Sequence, residues 1–187
     1  MSPNIIPTFL YNKMQNDEKV VLVIMDCLRA DHLKAMTNQL AQIFHIDLDY
    51  YLSILPTATP YSRNAIFSGY FPNKLQKEYS DIWLEMWQDE NSMNRFEDQF
   101  LRDHITRLGF ESKSIHYHKV ISYEEGNKLE NRINEFREVD FLALVINFVD
   151  ILGHSRSESN ILKEMVPDES AYRQAVCSWL ENAWLMN

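Results

Sequence analysis

"DFLALVINFVDILGH", residues 140–154, is the stretch from which the rest of the chain is read. From Asp140 to Asp150 the run is apolar almost throughout and does not alternate with polar residues. Such a run suits a strand buried on both faces, as in a parallel sheet, and here it ends in an acid. Gly153 allows a tight path beyond the strand, and His154 follows Asp150 by four residues. A second run of the same kind, "KVVLVIMD" (19–26), also ends in an aspartate, Asp26.

Working outward, helical and extended patterns alternate. "RADHLKAMTNQLAQIF" (29–44) places Leu33, Met36, Leu40 and Phe44 on one helical face. "IDLDYYLSIL" (46–55) reads as a further strand, and Pro60 suits the first turn of a helix with Thr59 in the cap position. Residues 70–93 read as irregular, with a short helix around 80–88. Helices are expected over 94–110, 123–136 and 169–187, and a strand over 112–118. Strands and helices in this order imply an α/β fold with a mainly parallel sheet. Ligands gather at the carboxyl ends of such strands, so Asp26 and Asp150 are expected to face one crevice. Residues 1–17 read as a lead-in and 18–187 as one domain, in keeping with a chain of 187 residues.

Composition excludes several classes. With 45% hydrophobic and 24% charged residues the chain has the make-up of a globular protein. A net charge of -9 argues against duplex nucleic acid as a partner, although bound divalent cations would reverse the sign locally. Cys27 and Cys177 have no close-pair spacing, which fits a reducing compartment. No secretory signal and no membrane-spanning run are read, so the expected location is the cytoplasm.

The chemistry-bearing residues form a small set. An oxygen donor and an imidazole four residues apart, Asp150 and His154, suit zinc or manganese, and Asp26 would add a carboxylate. In "LSILPTATPYSRNAIFSG" (52–69) Thr59 is either a helix cap or a nucleophile whose hydroxyl loses its proton beside a cation. The helix starting at Pro60 would offer backbone N–H groups to phosphate oxygens, Asn64 an amide and Arg63 a charged fork. Taken singly, each has an ordinary reading: Asp26 as a loop acid, His154 as a loop histidine, Arg63 as a surface charge. His116 and His118, two apart in a strand, read as an exposed strand face. Asp31 and His32 lie in a helix. Phe71, Tyr79, Trp83 and Trp87 suit packing more than base stacking, and Trp179 and Trp184 suit packing onto the sheet.

"IMDCLRADH", "LPTATPYSRNAIFSG" and "VINFVDILGH", in that order, resemble the first three signature blocks of the alkaline phosphatase superfamily. The closest resemblance is to its PglZ-domain branch, in particular the response-regulator effector domains of type IX secretion. The resemblance covers roughly residues 15–187. It implies a three-layer α/β sandwich, incomplete on its C-terminal side, with a site for two divalent metal ions, zinc or manganese. Asp26 would be a metal ligand, Thr59 the metal-bound nucleophile, and Asp150 and His154 ligands of the second ion, with Asn64 and Arg63 on the substrate. The implied activity is phosphodiester hydrolysis on nucleotides. A sensor kinase and regulatory proteins are the implied partners, and a homodimer is among the expected states.

No receiver domain precedes the match, and no Asp-His-Gly block or final histidine follows it before Asn187. The chain is therefore expected to be the N-terminal part of a longer domain, inactive alone. The alternatives are a degenerate docking module of the same fold, or a phosphomonoesterase. A threonine at the nucleophile position counts against a sulfatase.

Overall fold

In the computed structural model residues 1–89 and 93–183 are described. The chain starts with short turns of 3-10 helix (Ser2–Asn4) and π-helix (Ile6–Leu10), then α1 (Tyr11–Gln15) and strand β1 (Val20–Met25). Next come α2 (Ala30–Leu40), α3 (Thr59–Ser68), α4 (Pro72–Glu78), α5 (Ser80–Met86) and α6 (Glu97–Arg107). Strand β2 (Ile115–Val120) leads to α7 (Tyr123–Asn131), a 3-10 turn (Ile133–Phe136) and strand β3 (Phe141–Ile146). The last elements are α8 (Phe148–Glu158), α9 (Asn160–Met165) and α10 (Glu169–Asn182).

The strands form one sheet in the order β1-β3-β2. Val20 N donates to Asp140 O and Asp26 N to Ile146 O, so the bonding register advances six residues on each strand and β1 runs parallel to β3. Phe141 N to Ser114 O and Asn147 N to Val120 O make the same advance for β2. The α/β fold with a parallel sheet is thus the one observed.

The central position of β3 explains its sequence. All six residues from Phe141 to Ile146 are buried, as a strand with neighbours on both sides and no polar alternation requires. The similar run in β1 is a different case. β1 lies at the edge of the three-stranded sheet, and Val21 and Val23 are 60% and 38% exposed, so the expectation of burial on both faces fails there.

The expected strand over 46–55 is also absent: residues 45–54 have no regular structure, and Leu48, Tyr50 and Leu52 are exposed. Its alternating pattern has no ladder partner among the described residues, and extended propensity without a partner does not make a strand. The end of the expected helix over 169–187, with Trp184, lies outside the described residues.

By its contacts the chain divides into two units. Unit 1 comprises Met1–Val21, Asp49–Tyr117 and Glu138–Leu142; unit 2 comprises Leu22–Leu48, His118–Arg137 and Ala143–Asn187. In unit 1, α3 packs on α6, on α4 and on the Ser2–Asn4 turn. Phe67, Phe100, Leu101 and Ile105 are fully buried within it. In unit 2, α10 packs on α2 and α8 on α9, around a core of Met36, Val149, Val166, Tyr172, Val176 and Leu180.

Candidate functional site

Thr59, Arg63 and Asn64 belong to unit 1, and Asp26, Asp150 and His154 to unit 2. Each group is built by its own local chemistry.

In unit 1 the helix start falls one residue earlier than expected. Ala58 is the N-cap and has no polar side chain, while Thr59 and Pro60 are the first two helical residues. Thr59 is thus not the cap, and its side chain is half-buried. Pro60 has no N–H, and the amides of Tyr61 and Ser62 both donate to Ala58 O at 3.0 Å. The amide cradle expected for phosphate oxygens is therefore reduced, although the positive end of the helix dipole remains there.

Arg63 and Asn64 are committed elsewhere. Arg63 Nε and Nη2 donate to Glu97 Oε1 and Oε2 at 2.6 and 2.9 Å, a forked ion pair with side chains 4% and 0% exposed. Asn94 Nδ2 (2.8 Å) and Tyr117 Oη (2.6 Å) donate to the same carboxylate. Burial and the Glu97 carboxylate together push the Tyr117 phenol far above its usual range. Asn64 is fully buried, and its Nδ2 donates to the carbonyls of Pro60 and Met93 at 2.8 Å each. The sequence reading missed Glu97, Asn94 and Tyr117. Glu97 looks like any acid in the first turn of a helix, and Tyr117 was hidden between two histidines. His116 and His118 are half-buried rather than on an exposed face.

The aromatic cluster of unit 1 is only partly packed, since Phe71 and Trp87 remain exposed. Tyr61 and Trp83 lie 5.3 and 5.6 Å from Trp87, and Tyr79 lies 5.1 Å from Phe100.

In unit 2 Asp26 is half-buried and follows directly on β1, as expected. Asp150 does not end a strand. β3 stops at Ile146, and Asp150 stands in the first turn of α8, where an acid favours the helix dipole. One turn on, His154 Nε2 lies 3.5 Å from Asp150 Oδ1. Gly153 belongs to the same helix, and a Cβ there would come within 3.1 Å of the Tyr172 hydroxyl, which donates to Val149 O. A glycine at 153 therefore keeps α8 close to α10.

The structure adds a neighbour that the sequence did not suggest. Cys27 adopts the left-handed conformation, φ 57°, and its thiol donates to Asp150 Oδ1 at 2.9 Å. Asp31 is held by Arg29 through two bonds of 2.8 and 2.9 Å, which bring its carboxyl down to about 2. Arg29 also reaches Glu169, which Arg156 binds from α8. His32 is buried edge-on against Tyr172. Trp179 stacks on Phe148, ring centroids 4.5 Å apart.

The donor set decides how far a metal fits. Among the described residues no three His, Cys, Asp or Glu side chains are placed to hold one ion. Asp150 and His154 make a pair, and a pair falls short of the three or four protein ligands that zinc takes. The expected two-metal cage is not assembled by these residues.

Comparison with known proteins bears on the fold. The family model described as the BREX system PglZ alkaline phosphatase-like domain matches residues 8–182. No curated protein matches the chain.

Proposed function

The chain belongs to the PglZ alkaline phosphatase-like family, and from that premise we propose that it is a phosphoesterase with Thr59 as its nucleophile. The observation that carries the proposal is the order of the three blocks holding Asp26, Thr59 and Asp150–His154, inside the region of the family match. Thr59 supports the role by its place. It is the first residue of α3, with its hydroxyl unused as a cap, at the helix end where the dipole favours an approaching phosphate.

In the proposed reaction Thr59 Oγ attacks phosphorus and the bond to the leaving alcohol breaks. The hydroxyl proton goes to that alcohol or to solvent. Water then displaces Thr59 from phosphorus and restores the hydroxyl. A divalent cation, zinc or manganese, belongs to the proposal as cofactor class and would lower the pKa of a hydroxyl or water. By the resemblance Asp26, Asp150 and His154 would be its ligands, but the described residues do not gather three donors around one ion. Because the described residues bring no third donor to the Asp150–His154 pair, no chemical step is assigned to the ion.

The finer parts of the reading rest on the sequence resemblance. They are a nucleotide phosphodiester as substrate and a role as effector domain of a PorX-type response regulator in the cytoplasm. Among the described residues no helix is long and apolar enough to cross a membrane. The test is hydrolysis of an activated nitrophenyl phosphodiester by the full-length protein, with the corresponding monoester alongside. Diester turnover well above monoester turnover supports the substrate class; the reverse order replaces it with a phosphomonoesterase. No turnover of either, with a regulatory protein bound equally by wild type and Asp150→Ala, would make the chain a docking module.

A further inference from the structure

Beneath the first turn of α3 lies a polar network that the reaction does not use. The Glu97 carboxylate receives four donors: two from Arg63, one from Asn94 and one from Tyr117. That number matches its lone-pair capacity, so the buried carboxylate is saturated. A buried ion pair is seldom kept for stability alone, since apolar side chains of the same volume often do as well. What the network fixes is therefore informative.

It fixes Asn94, and Asn94 touches the residue proposed as nucleophile. Its Nδ2 donates to Glu97 Oε1 at 2.8 Å, and more weakly to Asn64 Oδ1 at 3.3 Å and the carbonyl of Thr59 at 3.4 Å. Asn64 in turn donates to the carbonyl of Pro60. Both leading carbonyls of the helix thus receive a side-chain donor from a network anchored by charge.

We propose that Asn94 is a positioning residue for Thr59: held in register by the Arg63–Glu97 pair, its amide fixes the first turn of α3 and so the direction of the Thr59 hydroxyl. The proposal rests on the reading of Thr59 as nucleophile. A brace of this kind acts on orientation, and misplacing a reacting group by about 1 Å costs on the order of a hundredfold in rate. It contributes little to substrate affinity.

Two variants test it in the full-length protein. Asn94→Ala removes the amide, and Tyr117→Phe removes only one donor to Glu97 while keeping the ring. The first readout needs no activity: amide hydrogen exchange at Tyr61 and Ser62, against Gly69, whose N–H bonds to Ala65 O at the far end of α3. In Asn94→Ala, exchange at Tyr61 and Ser62 is expected to quicken about tenfold with Gly69 unchanged. Tyr117→Phe is expected to do the same more weakly. The second readout is turnover of the nitrophenyl phosphodiester, where kcat should fall about 10- to 100-fold with KM within about twofold. Unchanged exchange at Tyr61 and Ser62, or equal quickening along the whole helix, overturns the brace. An unchanged kcat in Asn94→Ala, where Thr59→Ala is inactive, overturns the positioning role alone. Wild-type turnover in Thr59→Ala would instead remove the nucleophile, and with it any catalytic meaning of the brace.

Discussion

His104 and Gly69 meet at the end of α3, and together they make two quantitative statements about unit 1. The His104 imidazole is buried and its Nδ1 donates to Phe67 O at 3.1 Å, which puts the proton of the neutral ring on that nitrogen. Burial, with the Arg107 charge adding to it, lowers its pKa from the ordinary 6.5 to about 4. Between those values the unfolded chain binds a proton that the folded chain refuses. Stability is therefore complete above about pH 6.5 and falls as pH drops toward 4, by about 3 kcal/mol in all. Urea midpoints across that range should show this limb in the wild type and lose it in His104→Gln. Gly69 closes α3 at φ 68°, and a Cβ there would lie 2.4 Å from His104 Nε2. Gly69→Ala is expected to cost about 2–4 kcal/mol in chemical denaturation, from backbone strain and overpacking together. The contact between Gly69 and His104 was not legible in the sequence, because a partner 35 positions away leaves no local pattern.

At the scale of elements the buried pair joining α3 to α6 decides more than any surface charge. Glu97→Gln keeps the shape but leaves the Arg63 guanidinium buried without its counter-charge, and a loss of about 3–5 kcal/mol is expected. The double variant Arg63→Met, Glu97→Leu removes both charges and should recover most of that loss, with Tm as the readout. In the sequence Pro60 marked the start of α3, the amphipathic pattern over 94–110 gave α6, and the apolar run gave the central strand, since Phe141–Ile146 carries its burial in its composition. Periodicity failed for 46–55, where the alternation of apolar and acidic residues describes a strand only if a neighbour exists. It also misplaced Asp150: an apolar run that crosses from β3 into α8 has the same composition on both sides of the break. Arg63 and Asn64 were read as facing an anion because exposure has no signature in a short helix start. Both are buried and already bonded.

For the whole molecule, family membership and fold agree: a parallel sheet with its helices, matched over residues 8–182 by a PglZ alkaline phosphatase-like family. The order of three motifs along the chain carried that conclusion, because each is short and their sequence of spacing is not. Asp150 and His154, proposed as metal ligands, were legible as an i, i+4 spacing, and the structure puts them 3.5 Å apart. The thiol of Cys27 beside Asp150 was not legible, since it depends on the left-handed turn after β1. The proposed function depends on a single alcohol, that of Thr59. Its direct test is turnover of an activated nitrophenyl phosphodiester by the full-length protein and by Thr59→Ala, with zinc or manganese supplied. The account predicts that Thr59→Ala loses about a thousandfold or more in kcat while keeping its fold. Turnover in Thr59→Ala equal to that of the wild type would contradict it.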